Sequence, residues 1–126
     1  MPSAGKGKRQ KKSKKKSELD SALEQVGDES VAAAITEFQG LLGQAKGDTS
    51  ELVRENAQEL ERRLILLKNG DIDKEDFEFF VENQKRDLRV FIDSQPAQAQ
   101  ERTEKLTIHV LEIAVTKVVP VLLALI

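Results

Sequence analysis

The sequence predicts an all-α protein: a helical hairpin or bundle with a long apolar C-terminal helix and a disordered basic N-terminal arm. Three observations predict it. Apolar residues recur at spacings of four and three, as in Val53, Ala57, Leu60, Leu64 and Leu67, which is one face of a helix with 3.6 residues per turn. No stretch alternates convincingly at period two. Aromatic residues, which strands favour, are only 4% of the 126 residues, with no Trp or Tyr.

The arm is residues 1–16. Lys6, Lys8, Arg9, Lys11, Lys12, Lys14, Lys15 and Lys16 carry eight positive charges between Lys6 and Lys16, with no acid among them. A segment this charged and this poor in apolar side chains has no core to bury, so it is expected to be disordered. The formal net charge of −2 conceals the asymmetry. Of 20 basic residues eight fall in the arm, which leaves twelve against 22 acids, a balance of −10 for the rest. No apolar segment follows the arm, so it is not expected to act as a secretory signal, and a cytoplasmic location is expected. Cys is absent. A disulfide framework and a thiolate metal site are thereby excluded, while the redox compartment stays undecided.

The helical body is expected over 17–95. Ser17 is positioned as an N-cap with Asp20 three residues on, a variant of the capping box. Leu19, Ala22, Leu23 and Val26 form a short apolar face that stops at Gly27. Asp28 or Ser30 caps the next segment, whose stripe is Val31, Ile35, Phe38, Leu42 and Ala45. Gly40 and Gly43 interrupt it, each weakening the helix by up to about 1 kcal/mol unless a neighbour approaches closely there. Asp48 or Thr49 is expected to cap the third helix, which carries the Val53 to Leu67 stripe and ends at Asn69 or Gly70. Asp73 caps a fourth helix with Asp76 at its N3 position, and Phe77, Phe80, Val81, Leu88, Phe91 and Ile92 form its buried face. The short loop between the third and fourth helices makes them an antiparallel hairpin over about 50–95. Residues 64–88 are similar in outline to the short helical hairpins that end some bacterial proteins and serve in oligomerisation; the shared Gly turn, Ile and acidic-Phe start are too generic to assign a family.

The hairpin turn "NGDIDKEDFEFF" has the outline of half a calcium loop. The register that makes Gly70 the sixth position puts Ile65 and Leu67 at the first and third, where oxygen ligands are required. Helix capping accounts for Asp71, Asp73, Glu75 and Asp76 without a metal. No nucleophile–base pairing and no phosphate-cradling loop is visible, and His109 is the only histidine. The carboxylates sit at helical surface spacings. The sequence therefore predicts a non-enzymatic protein with no cofactor, metal or small-molecule substrate.

Pro96 disfavours helix at Gln95 and suits the first turn of a new one, with Asp93 or Ser94 as its cap. From there the segment 96–126 reads as one long helix, bent or frayed at Pro120. Leu106 to Ile126 contains 15 apolar residues of 21 and spans about 30 Å, the thickness of a bilayer core. Glu112 and Lys117 near its middle each oppose insertion by about 2.5–3.5 kcal/mol, against about 4–8 kcal/mol returned by the larger aliphatics, so a lone helix is marginal. On a helical wheel Arg102, Lys105, His109, Glu112, Thr116 and Pro120 share a sector of roughly 80°; Thr107 and Lys117 fall outside it. The candidate polar seam is thus Arg102, Lys105, His109, Glu112 and Thr116, with Lys117 beside it. Such a helix suits the centre of a bundle, a membrane or the core of a homo-oligomer. The uncapped run "VVPVLLALI" favours a membrane-seeking or assembly-buried helix over a plain core helix.

A polybasic arm with an oily helix is the two-signal arrangement that gives stable membrane attachment. The expected function is a self-associating helical protein held to an anionic membrane, or to an assembly, through its C-terminal helix. The seam residues would pair between helices, and Glu112→Leu would strengthen partition. One alternative is a nucleic-acid-associated packaging protein whose arm binds phosphate, without aromatic residues to stack on bases. Another is an adaptor subunit whose apolar helix docks in the groove of a larger partner.

Overall fold

The structure, a computed structural model, describes residues 18–125. The arm lysines, Arg9 and the Ser17 cap lie outside the described residues. Among the described residues the chain is all-α, in five helices: α1 (Glu18–Leu23), α2 (Glu29–Lys46), α3 (Glu51–Lys68), α4 (Lys74–Asp93) and α5 (Ala97–Leu125).

Local chemistry sets most of the boundaries. Asp28 starts α2, its carboxylate accepting from the Ser30 and Val31 amides. The cap of α3 is Ser50, whose hydroxyl accepts from the Val53 amide; the expected Asp48 and Thr49 are displaced to the preceding loop. Asp48 instead accepts from the Ser50 amide at 2.9 Å and from the Arg102 guanidinium of α5. At α4 the expected capping box forms in full. Asp73 accepts from the Asp76 amide at 2.7 Å, and Asp76 accepts from the Asp73 amide at 3.1 Å. Asp93 and Ser94 do not cap α5; Asp93 is the last residue of α4 and Ser94 its C-cap, and α5 begins after Pro96 with no side-chain cap.

The end of α3 closes through paired bonds, Asp71 amide to Leu66 carbonyl at 2.8 Å and Gly70 amide to Leu67 carbonyl at 3.1 Å. This motif requires the left-handed conformation at one residue, and Gly70 takes it with φ +80°. A Cβ there would meet nothing within 4 Å. Gly70→Ala is therefore expected to cost about 1 kcal/mol from conformation alone, read as a lower midpoint in urea at unchanged slope.

The helices run up and down. Asn56 pairs with Gln84 across α3 and α4, and Arg89 of α4 pairs with Glu104 of α5 at 3.0 Å. Asp48 and Glu37 of the α2 side meet Arg102 and His109 of α5, so these two helices are also antiparallel. α5 packs on α1, α2, α3 and α4 and forms the centre of the bundle. Residues 17–95 and 96–126 of the sequence reading, as far as they are described, thus share one core. The stripes enter it as expected at Ile35, Phe38, Leu42 and Ala45, at every position from Val53 to Leu67, and at Phe77, Phe80, Val81, Leu88 and Ile92. Phe91 is only half-buried. Nothing approaches Gly40 or Gly43, which face open space and serve no close helix contact.

Within α5 the helix widens to i→i+5 turns at Lys105–His109 and Ala114–Val118. Each wide turn contains a threonine that donates back to the carbonyl four residues earlier: Thr107 to Thr103 at 2.6 Å and Thr116 to Glu112 at 2.9 Å. The hydroxyl competes with the backbone amide for that acceptor and loosens the ladder. Pro120, which has no amide hydrogen, follows the second wide turn. The strain expected at Pro120 therefore appears one turn earlier, as a local widening rather than a break.

Candidate functional site

The polar seam of α5 is a line on the bundle surface. Arg102, Lys105, Glu112, Thr116 and Pro120 are exposed and His109 is half-buried. Beside the line, Thr107 is fully buried and Lys117 is exposed. The seam pairs with neighbouring helices of the same chain. Arg102 meets Asp48, His109 Nε2 lies 3.4 Å from Glu37 Oε2, and Glu112 lies 3.8 Å from Lys85. Lys105 lines shallow grooves at the surface, and Thr116 is satisfied within the helix. The pairs of His109 and Glu112 are exposed and contribute about 0–1 kcal/mol each, whereas the Asp48 carboxylate that meets Arg102 is nearly buried. They lie along the side of α5 opposite its buried apolar face.

The opposite side of α5 is covered by the rest of the chain. Leu106, Ile108, Val110, Leu111, Ile113, Ala114, Val118, Val119 and Leu122 are buried. Ala97–Leu125 is still long and apolar enough, by length and composition, to cross a membrane, and 44% of its most apolar stretch is buried in the bundle. Coverage fails at the end. Leu123 is 38% and Leu125 42% exposed, and Pro120 and Ala124 are exposed with them.

That apolar tip has a specific neighbour. α1 packs against the last turns of α5 and the end of α3, with Leu19 and Leu23 buried in the contact. Glu18 at the start of α1 bonds Lys68 at 3.0 Å. Gln39 of α2 donates to Asp20 at 3.0 Å and ties α1 down from a second side. Glu18, the first described residue, is therefore held at the same end of the bundle as the exposed turns of α5. More than 100 residues separate Glu18 from Pro120 in sequence; the antiparallel fold closes that gap. No sequence signal could have shown this, since neither segment's pattern encodes the other's position.

Two carboxylates at this end lie below their ordinary pKa range. Glu18 is lowered by its bond to Lys68, and Asp28 by bonds from the Ser30 hydroxyl and from the Ser30 and Val31 amides. A carboxylate depressed in the folded state stabilises above its unfolded pKa, and this is lost as the pH falls through the folded value. Acid is therefore expected to loosen α1 and the first turn of α2 as the pH drops below about 4. Hydrogen exchange at pH 6 and pH 3 checks it: amides of α1 and the α2 start should lose protection before those of α3.

Between α3 and α4 one buried polar pair stands apart. Gln84 donates to Asn56 Oδ1 at 2.8 Å, while the buried Asn56 Nδ2 has no acceptor among the described residues. Away from the pair, Arg63 lies over the Phe80 ring at 4.7 Å from its centroid. No family model matches this chain, and no curated protein or solved structure matches it either.

Proposed function

We propose that this protein is a non-catalytic helical module that attaches to anionic membrane surfaces through one end of its bundle. The observation that supports the reading is the juxtaposition of the arm's attachment point with the apolar tip Pro120, Leu123, Ala124 and Leu125. Charge and hydrocarbon affinity act on the same patch of membrane only when they leave the protein together, and Glu18, next in sequence to the arm, lies at the end of the bundle where the tip is exposed. The arm contributes about 1 kcal/mol per basic residue near an anionic surface. The tip adds the burial of two leucines, at most about 1.5–3 kcal/mol each because both are already part-covered. Capture is thus electrostatic and salt-sensitive, and retention is apolar.

The reading differs from a spanning helix. The apolar length of α5 already has a partner in α1 to α4, and insertion of the whole helix would expose their stripes to water. Attachment through the tip leaves the bundle intact.

The test is flotation of the full chain with vesicles of mixed anionic and zwitterionic lipid, and of zwitterionic lipid alone, at low and high salt. Binding to anionic vesicles that weakens but persists at high salt is the expected result. Binding to duplex DNA with steep salt dependence, and to no vesicle, would transfer the arm to the packaging reading. Self-association is a second reading, favoured by Phe79 and Val90. They are 72% and 71% exposed and nearly aligned, three turns apart on α4. Light scattering across a concentration series checks it.

A further inference from the structure

Beside the apolar tip lies a groove of about 430 Å³ between the α1–α2 turn, the start of α2 and the last turns of α5. We propose that this groove holds one acyl chain of an anionic lipid, with Lys117 at its mouth receiving the headgroup. The proposal rests on the surface-attachment reading and gives that surface a specific lipid contact.

The groove's chemistry selects hydrocarbon. Val26, Val31, Val121, Ala124 and Leu125 supply its walls, and its volume falls in the range of about 300–1,000 Å³ typical of small-ligand sites. Several polar groups beside the groove are already engaged, and Gln25 is the uncharged polar side chain of its lining that these bonds leave over. The Ser30 and Val31 amides and the Ser30 hydroxyl all donate to Asp28, and the Thr116 hydroxyl donates to Glu112. Pro120 has no amide hydrogen to offer. An extended peptide would leave its own backbone groups unpaired there, whereas a hydrocarbon chain has none to satisfy.

Charge selects the headgroup. Lys117 lines the groove, is exposed, and has no ion-pair partner among the described residues. Among the described residues the only carboxylate lining the groove is Asp28, which the α2 cap occupies. Glu18, which follows the basic segment in sequence, lies at this same end. A negative headgroup over an apolar slot is the complement of that arrangement.

The experiment titrates the full chain with dansyl-undecanoic acid, a fluorescent fatty acid, below its micelle concentration and without vesicles. Saturable binding of one molecule per chain, displaced by oleate, is expected. Lys117→Gln should weaken it ~5-fold, the effect of one lysine near an anionic group. Ala124→Trp, placed at an exposed position to fill the slot, should abolish it without moving the thermal unfolding midpoint. Saturation that neither substitution alters would overturn the proposal. So would a concentration-dependent dimer that excludes the probe, which gives the groove to a second copy. If the full chain floats with anionic vesicles while the probe does not bind, the groove proposal falls and surface attachment stands. If neither binds, both fall. Probe binding without vesicle binding overturns the bilayer lipid as the occupant.

Discussion

Deletion of residues 1–16 is expected to lower partition onto anionic vesicles by ~100-fold or more at low ionic strength. Eight basic residues are removed, and even a few of them acting at about 1 kcal/mol each reach that factor. Helical content should not change, since α1 to α5 lie wholly within residues 18–125. The complementary change leaves the arm and removes the tip. Leu123→Lys with Leu125→Lys should leave capture at low salt nearly intact and eliminate retention at high salt, because screening shortens the reach of the arm to about 8 Å at physiological ionic strength but does not weaken apolar burial. Flotation of both variants at both salt levels checks the division. A deletion that binds as well as the full chain would sink the electrostatic half of the reading; a double lysine variant that stays bound at high salt would sink the apolar half.

Leu111→Ala is expected to cost about 2–5 kcal/mol, much of the 5–15 kcal/mol that keeps an ordinary domain folded. Leu111 is fully buried in the part of α5 that crosses α2. Removing its isopropyl group leaves a cavity with helices on several sides, none free to collapse inward without losing its own contacts. Glu112, the next residue, is the contrast. It is 52% exposed and its one ion pair, with Lys85, spans 3.8 Å. Glu112→Leu should change stability by no more than about 0.5 kcal/mol. Urea unfolding of the two variants reads the difference directly. Were α5 instead buried in lipid and loosely held by the bundle, Leu111→Ala would be nearly silent in the soluble protein.

The seam was legible in the sequence because helical periodicity is a local property. Arg102, Lys105, His109, Glu112 and Thr116 align through backbone geometry alone, whatever packs on the other side. The same holds for the Asp28 cap, the Asp73–Asp76 box, Gly70 and the stripe from Val53 to Leu67. Each depends on atoms within about one turn or on a 3.6-residue repeat.

Other features were not legible, and each involves a distant partner. Asp48 is a good cap by residue type, but Arg102, 54 residues later, recruits its carboxylate, and Ser50 caps α3 in its place. Phe91 continues the apolar face of α4, yet it is only half-buried at the end of that helix. Most consequential is the apolar face of α5. An oily circumference states that the helix must be covered and not by what. Lipid, a second copy and the chain's own helices satisfy the same hydrophobic requirement, because apolar burial has no direction. Local sequence sufficed for five helices, for the Asp28 cap and the Asp73–Asp76 box, and for the polar line on the last helix. Tertiary packing settled that α1 to α4 cover the apolar face of α5 from Leu106 to Leu122, that its final turns stay open, and that Glu18 lies at the same end. Those outcomes follow from antiparallel packing, which brings together segments that local periodicity cannot relate.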